Sequence, residues 1–280
     1  MNESPERTAC AKVAVCMCVK NEVFRISEWI AYHSLLGFEK IIVYDNMSTD
    51  GTREILERFS EALNVIVIDW DRSDRMYQMD AFKDAVVRFG VSFDWMGFID
   101  SDEFIVLHEH DCISDFIEEY NHASAVVLNW ALFGSSGHLT RPSGLLIEEF
   151  KFRAKPEERR ARHVKSFIKV SDFIDVGPNP HVFNVRGQTV NVLHNPPEWE
   201  ELGITAGSAI YETCQINHYF LKSLEEWREK MTRGYPDQDL GVIDEARIIA
   251  EFRSFDRNDV LDDSALLLAN ETKLRIRLIS

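Results

Sequence analysis

The chain has 280 residues and a formal net charge of −16, and 45% of its residues are hydrophobic. This length and composition suit one large α/β domain with a sizeable core, and they exclude wholesale disorder. Nucleic acids bind proteins through clustered Lys and Arg, so the acidic balance argues against a nucleic-acid partner. A small phosphorylated ligand stays compatible with it, because a divalent metal can neutralise the charge locally.

The ends of the sequence and its five cysteines bear on the cellular compartment. The N-terminal segment MNESPERTACAK lacks the apolar stretch of a signal peptide, and no run of 18 apolar residues occurs. The cysteines are scattered without a CxxC pair, which is typical of a reducing compartment. We therefore expect a cytoplasmic protein without a transmembrane segment. The final segment LLLANETKLRIRLIS is compatible with peripheral membrane contact, although a packed terminal segment is the favoured interpretation.

Apolar runs and amphipathic segments alternate through the first hundred residues. Continuous apolar runs predict strands buried on both faces, and periodic apolar positions predict helices between them. The strands are predicted at 13–19, 40–45, 64–69 and 95–100, and the helices at 26–36, 52–63 and 76–90. This alternation has the spacing of βαβ units, which form a mostly parallel sheet with helices on both faces.

Beyond residue 110 the alternation becomes irregular. Strands are predicted at 125–133, 163–170 and 181–185, and a charged amphipathic helix is predicted at 223–234. The basic segment 151–163 predicts a mobile or helical excursion. The sequence therefore favours an α/β protein whose second part is less regular than its first.

Polar side chains follow each of the four N-terminal strands. They are Lys20-Asn21-Glu22, Asp45-Asn46, Asp69-Trp70-Asp71 and Asp100-Ser101-Asp102-Glu103. Right-handed crossovers place the carboxyl ends of parallel strands at one edge of the sheet, where ligands of open α/β sheets bind. We therefore expect the functional groups at this edge.

The acidic turn FIDSDEF, residues 98–104, is the sharpest of these features. A buried strand leads directly into Asp100 and Asp102, and two carboxylates two residues apart suit a hard divalent cation such as Mn²⁺ or Mg²⁺. Such a cation would bridge the diphosphate oxygens of a nucleotide. A solvated acidic turn without a ligand is the alternative interpretation.

Seven segments, taken in order, resemble the GT-A glycosyltransferases of family 2, and in particular the family 92-like branch. They are CMCVKNE (16–22), VYDNMSTDGT (43–52), FIDSDEF (98–104), WALFGSSGH (130–138), IEEF (147–150), HVKSFIKV (163–170) and HYFLKSLEE (218–226). Their common order, over roughly residues 13–234, makes the resemblance specific.

The resemblance implies a GT-A fold, which is a Rossmann-like and mostly parallel sheet flanked by helices, with a C-terminal extension on the acceptor side. It divides the chain into a flexible N-terminus (1–12), a nucleotide-sugar-binding half (13–110), an acceptor and catalytic half of the same domain (111–235) and a C-terminal helical extension (236–280). The implied activity is metal-dependent, inverting transfer of a hexose from a nucleotide-sugar, taken to be a UDP-sugar, to a saccharide acceptor. By the same analogy the product is a surface or extracellular polysaccharide.

Roles at the donor site carry over from the resemblance by position. Asp45 would bind the uracil or the ribose, and Asn21 and Glu22 would line the same pocket. Lys165 would meet the diphosphate, with a plain surface charge as the alternative.

The resemblance also implies a metal site in the acidic turn. Asp100 and Asp102 would bind the cation, and Ser101 would lie beside the donor in the same turn. GT-A enzymes often add a late histidine, for which His218 is the first choice and His181 the second.

An inverting transferase needs a general base that deprotonates the acceptor hydroxyl as it attacks the anomeric carbon. Glu148 is the candidate that the resemblance implies, and Asp237, Asp239 and His138 are rivals. The sequence EEF departs from the usual single acid followed by Arg, so the choice of glutamate stays open.

The segment WALFGSSGH also bears on sugar binding. Its GSSG loop, 134–137, suits contact with a sugar because glycine lets the backbone approach a ligand closely, and an ordinary connecting loop is the alternative. Trp130 and Phe133 suit stacking on a sugar face, with core packing as the alternative.

Three other functions compete with glycosyl transfer. A sugar nucleotidyltransferase would carry a glycine-rich loop after its first strand, but KNEVFRISEW contains no glycine. A phosphatase with a D-x-D nucleophile would place this motif at its first strand rather than at its fourth. A catalytically inert binding or interaction protein is the non-enzyme alternative, against which the retained carboxylates and late histidine argue.

Overall fold

The computed structural model describes residues 10–72, 74, 76–233 and 244–280. The long strands are β1 (Val13–Val19), β2 (Lys40–Asp45), β3 (Val65–Asp69), β4 (Trp95–Phe98), β5 (Glu103–Leu107), β6 (Ala125–Leu132), β8 (Val164–Lys169) and β14 (Cys214–His218). The short strands are β7 (Phe152–Arg153), β9 (Phe173–Val176), β10 (Phe183–Val185), β11 (Thr189–Asn191), β12 (Trp199–Glu201), β13 (Ile204–Thr205) and β15 (Val260–Leu261). The helices are α1 (Ile26–Leu35), α2 (Thr52–Ala62), α3 (Tyr77–Phe89), α4 (Ile113–Glu118), α5 (Leu146–Glu149), α6 (Leu224–Arg233), α7 (Glu245–Phe255) and α8 (Ala269–Ile279).

The central sheet has the strand order β3-β2-β1-β4-β8-β6-β14-β5, and β11 pairs with β6 beside this path. The first four strands are parallel, as βαβ connections require, and β8 runs antiparallel to both of its neighbours. Asp45 pairs in register with Val19 on one side and with Asp69 on the other. The predicted fold class, a Rossmann-like α/β sheet with flanking helices, is confirmed, and the strand ends meet at one edge.

The sheet curls back on itself around the acidic turn. Only four residues separate the end of β4 from the start of β5, yet β5 lies at the end of the strand order, four strands away from β4, where it pairs with β14. In that pairing His218 lies opposite Glu103. The curl therefore carries a residue from late in the chain to the turn that holds the two aspartates.

Strand β1 separates two apolar layers because successive side chains of a strand point to opposite faces. Met17 packs in one layer with Trp29 of α1, and Cys16 packs in the other with Phe82 of α3. Cys18, also buried, belongs to the second layer. The two cysteines thus serve as small buried hydrophobic residues.

The basic segment 151–163 differs from its prediction. It contains the two-residue strand β7 and one turn of 3₁₀ helix at Arg159–Arg162, and three of its four arginines form ion pairs. Arg159 and Arg162 both contact Glu200. The strongly basic composition predicts an excursion, but pairing of these charges with carboxylates holds the segment in place.

Within the described ranges, no helix combines the length and the apolar character that crossing a bilayer requires.

Candidate functional site

The turn between β4 and β5 is held by contacts to both of its flanks. The amide of Asp100 donates to Glu103 Oε2 at 2.8 Å, and the indole N–H of Trp29 donates to the carbonyl oxygens of Asp100 and Glu103 at 3.0 and 2.8 Å. Trp29 and Glu103 are fully buried. Helix α1 therefore fixes the backbone from which the two aspartates project.

The carboxylate of Asp100 has two side-chain partners. Lys165 Nζ donates to Asp100 Oδ2 at 2.8 Å, and Gln78 Nε2 donates to Asp100 Oδ1 at 2.7 Å. Lys165 is fully buried and also lies 3.7 Å from Glu103 Oε2. Burial opposes ionisation of Asp100, but the ammonium of Lys165 outweighs it and lowers the pKa of this carboxyl. Burial also raises the pKa of Glu103 well above its usual value.

Asp102 lies between a histidine and a second lysine. Its Oδ1 is 3.3 Å from His218 Nε2 on β14, and its Oδ2 is 3.3 Å from Lys230 Nζ on α6. Burial disfavours the charged form of Asp102, but Lys230 and His218 outweigh it and hold the pKa well below its ordinary value. Burial lowers the pKa of His218, so the neutral imidazole is favoured. The structure thus brings together two residues that lie 116 positions apart in the sequence.

Aromatic rings form the wall behind this pair. The Trp130 ring lies 4.2 Å from the His218 ring and stacks on the His163 ring at 4.8 Å. His181 lies 5.2 Å from the same indole, and its Nδ1 lies 2.8 Å from the Val164 carbonyl, to which it donates. Burial lowers the pKa of His181 to about 3, so its Nε2 carries a free lone pair. Trp130 is partly exposed and therefore stays compatible with contact to a sugar.

The side chains at the acidic turn provide some, but not all, of the ligand atoms that a divalent cation needs. Asp102 and His218 supply an oxygen and a nitrogen that already lie within contact distance. The carboxylate of Asp100 is instead bound to Lys165, and among the described residues no three His, Cys, Asp or Glu side chains form a ready cluster. His218 Nδ1 is buried without a described hydrogen-bond partner, whereas metal-bound histidines usually donate from this position. Asp102 and His218 would therefore hold a cation whose other ligands come from a bound diphosphate or from water.

The loops after β1 and β2 form one hydrogen-bonded unit. The amide of Asn21 donates to Ser48 Oγ at 3.0 Å, and the amide of Thr49 donates to Asn21 Oδ1 at 2.8 Å. The amide of Ser48 donates to Asp45 Oδ1 at 3.1 Å. Asn21 and Met47 have positive φ angles of 56° and 54°, which L-residues seldom adopt. Backbone strain of this kind tends to collect at functional sites, and here it lies at the predicted nucleotide pocket.

A cavity opens between these loops and α6. Asn21, Glu22 and Asp50 line one side, and Lys222 and Lys230 line the other. Lys222 is largely buried, has a φ of 58°, and places its Nζ 3.8 Å from Glu22 Oε2. Because Lys230 also contacts Asp102, it connects the cavity to the acidic turn. Asn21 and Glu22, predicted for nucleotide binding, therefore line a cavity that Lys230 connects to Asp102, whereas Asp45 and Asp100 are not among its lining residues.

Glu148 stands apart from this region. It lies on α5, forms an ion pair with Lys273 of α8, and makes no described hydrogen bond or ion pair with Asp100, Asp102 or His218. The rival candidate His138 instead contacts the neighbouring Glu149. Nε2 of His138 lies 3.1 Å from the Glu149 carbonyl oxygen and 3.6 Å from Glu149 Oε2. The other two rivals, Asp237 and Asp239, lie outside the described residues. Glu148 stays a prediction.

The GSSG loop packs against protein rather than facing the cavity. A Cβ on Gly134 would lie 2.4 Å from the carbonyl oxygen of Arg257, and the amides of Ser135 and Ser136 donate to Asp256 Oδ1 and Asn258 Oδ1. Phe133 is 1% exposed and belongs to the core. The structure therefore favours core packing for Phe133 and an ordinary connection for residues 134–136, whereas Gly137 is exposed with open space around it.

Sequence reasoning missed several side chains of the site. Gln78, Lys222 and Lys230 contact or border the predicted residues, and Glu103, which the sequence places at this edge without a role, supports the turn. Lys222 lies in the segment HYFLKSLEE, which carries part of the family resemblance, but the resemblance assigns no role to this lysine. Ser101, which was predicted beside the donor, is a partly exposed residue of the turn.

The fold and the site define an α/β protein with paired carboxylates, a histidine and lysines at the carboxyl edge of a parallel sheet. Comparison with protein families agrees: the model of glycosyltransferase family 92 matches residues 11–239. The chain belongs to glycosyltransferase family 92.

Its relatives include family 92 proteins of two plants. One from Oryza sativa subsp. japonica is 28% identical over 224 residues, which are 79% of this chain and 35% of the relative. One from Arabidopsis thaliana is 34% identical over 154 residues, which are 51% of this chain and 26% of the relative. The chain therefore spans about a third or less of the length of these proteins.

Two solved structures show a distant likeness. Staphylococcus aureus TarS in complex with UDP-GlcNAc is 18% identical, with a TM-score of 0.38, over 57% of this chain and 46% of that chain. Glucosyl-3-phosphoglycerate synthase from Mycobacterium tuberculosis, in complex with Mg²⁺ and UDP, is 16% identical, with a TM-score of 0.38, over 65% of this chain and 69% of that chain. These values are too low for a ligand to be transferred to the present chain.

Proposed function

We propose that the protein is a metal-dependent, inverting glycosyltransferase that moves a hexose from a UDP-sugar to a saccharide acceptor. The observation that carries the proposal is the contact of Asp102 with both His218 and Lys230, beside a cavity lined by Asn21 and Glu22. Family membership supplies the reaction class, and the site supplies the groups that this reaction needs.

In the proposed binding mode, the nucleotide-sugar lies in and beside the cavity, with each of its parts next to a different group of side chains. The uridine would lie against Asn21, Glu22 and Asp45, at the ends of β1 and β2. The diphosphate would lie beside Lys222 and Lys230, whose charges compensate its own. A divalent cation held by Asp102 and His218 would stabilise the charge that develops on the departing nucleotide.

The residues of the chain have defined tasks in this proposal. Lys165 and Gln78 keep Asp100 ionised and oriented at the turn, rather than touching the donor directly. Trp130 and the neutral His181 form an apolar and aromatic wall that suits an uncharged sugar ring. Glu148 is proposed as the base that takes the proton of the acceptor hydroxyl, and His138 is its described rival.

Calorimetric titration tests the proposal. UDP, GDP and CDP would each be titrated into the full chain with and without Mn²⁺. We expect binding of UDP that strengthens with Mn²⁺ and exceeds that of the other two nucleotides. The Asp102→Asn variant should lose the effect of Mn²⁺, whereas Asp94→Asn, at a distant loop, should keep it. No binding of any nucleotide would leave an inert interaction protein as the better interpretation.

A further inference from the structure

The ammonium group of Lys230 is held where the cavity meets the acidic turn. Its Nζ lies 3.3 Å from Asp102 Oδ2, 3.1 Å from the Phe220 carbonyl oxygen and 3.7 Å from the centroid of the Phe220 ring. A carboxylate, a carbonyl oxygen and the face of an aromatic ring all favour a positive charge. This position is therefore built for a cation.

Each of the two aspartates of the turn already has a lysine counter-charge among the described residues. The carboxylate of Asp100 faces the ammonium of Lys165, and that of Asp102 faces the ammonium of Lys230. A divalent cation placed on Asp102 would lie within a few ångströms of the Lys230 charge, and repulsion at this distance amounts to several RT. Lys230 in this position must therefore weaken the binding of a cation to Asp102.

The two lysines differ in their freedom to move. Lys165 projects from β8, is fully buried, and sits between Asp100 and Glu103. The Lys230 side chain is 17% exposed and borders the cavity that Lys222 also lines. The side chain of lysine has a flexible four-carbon stem. Rotation about its bonds can move the Lys230 ammonium away from the Asp102 carboxylate and toward an anion in the cavity.

We propose that Lys230 is an exchangeable counter-ion of the donor site. In the free protein its ammonium neutralises Asp102. When a nucleoside diphosphate enters, the ammonium moves to the diphosphate and releases Asp102 for a divalent cation. This inference rests on the proposed function, since it requires a diphosphate ligand. Its consequence is that the cation binds well only together with the nucleotide.

Binding of Mn²⁺ itself provides the test. Free Mn²⁺ would be measured by electron paramagnetic resonance during titration of the full chain, without nucleotide and then with UDP. Lys230→Met keeps most of the stem and removes the charge, and Lys230→Arg keeps the charge. Lys83→Met, which removes an exposed ion pair with Asp175, is the matched control. Thermal unfolding would establish that each variant is folded.

Without nucleotide, Lys230→Met should bind Mn²⁺ at least about tenfold more tightly than the wild type, and UDP should then improve Mn²⁺ binding much less. Lys230→Arg and Lys83→Met should behave as the wild type does. Equal or weaker Mn²⁺ binding by Lys230→Met, while the wild type binds UDP, would overturn the exchange and leave the transferase proposal standing. Failure of the wild type to bind UDP at all would overturn both.

Discussion

The guanidinium of Arg25 and the carboxylate of Glu226 form a buried ion pair across 201 residues of sequence. Arg25 Nε and NH2 donate to Glu226 Oε1 at 3.1 and 2.8 Å, and the two side chains are 6% and 7% exposed. Glu226 also accepts the hydroxyl of Ser223 at 2.7 Å. The pair fastens the start of α1 to the start of α6, and so joins the two walls of the cavity.

Replacement of Arg25 should therefore cost stability as well as donor binding. Arg25→Met would leave the buried Glu226 carboxylate with only the longer ion pair to Arg141 at 3.4 Å. It should therefore lower the free energy of unfolding by about 3 kcal/mol. Arg228→Met removes an exposed pair with Glu245 and should cost less than about 1 kcal/mol. Urea unfolding of both variants measures the difference, and equal losses would contradict the role of the buried pair.

Asp45 should contribute to the affinity of the protein for the nucleotide. The Asp45→Ala variant should weaken UDP binding about tenfold or more, because a buried carboxylate at the end of β2 would lose its hydrogen bond to the ligand. Asp69→Ala is the control, since Asp69 is the register neighbour of Asp45 on β3. Calorimetry with UDP compares them. An unchanged affinity in Asp45→Ala would place the nucleotide elsewhere.

Glu148 should act on turnover rather than on donor binding. If it is the general base, Glu148→Gln should reduce the rate of transfer by about 10²-fold or more while UDP affinity stays constant. Glu149→Gln, one position along α5, is the matched control. Initial rates would be measured with whichever UDP-hexose the wild type turns over. A large loss in Glu149→Gln alone would assign the base to the other glutamate.

Glu28 should make stability depend on pH. Its buried carboxyl accepts the amides of Leu146 and Ile147, but burial raises its pKa from 4.5 to about 7. The folded state therefore binds more protons than the unfolded state between these values, and the free energy of unfolding falls as the pH rises through this window. Relative to Glu28→Gln, the wild type should lose up to ~3 kcal/mol from pH 4.5 to pH 7.

The control for this experiment is Glu57→Gln, which alters an exposed glutamate of α2. Its stability should follow that of the wild type across the same pH range. A wild type and a Glu28→Gln variant with parallel pH profiles would show that the carboxyl titrates near its ordinary value.

The regular half of the fold was predictable because local patterns determine it. From β1 to β4, each strand is a continuous apolar run and each helix has a periodic apolar face, so the predicted bounds agree with the observed ones to within about two residues. The position of Asp45 and Asp100 at the ligand edge follows from the same strands through the geometry of parallel sheets.

The rest depends on contacts between distant segments. Strand β14, CQINH, has no apolar run, and β5 follows the acidic turn too closely to be separated from it by pattern. Lys230 lies in a helix whose alternating charges are typical of a solvent-facing surface, and nothing local indicates that it reaches Asp102. Strand β10 lies within the strand predicted at 181–185, whereas β9 and β11 to β13, of two to four residues, are below the length at which periodicity can be recognised.

The curl of the sheet around the acidic turn sets the order in which the site can be assembled during synthesis. Asp100 and Asp102 leave the ribosome early, whereas their partners Lys165, His218 and Lys230 follow by 65 to 128 positions. Before β14 has emerged, β5 lacks this neighbour and Asp102 lacks His218, and before α6 has emerged, Asp102 also lacks Lys230. A nascent chain arrested before this point should therefore be unable to retain nucleotide, even though its parallel strands are complete.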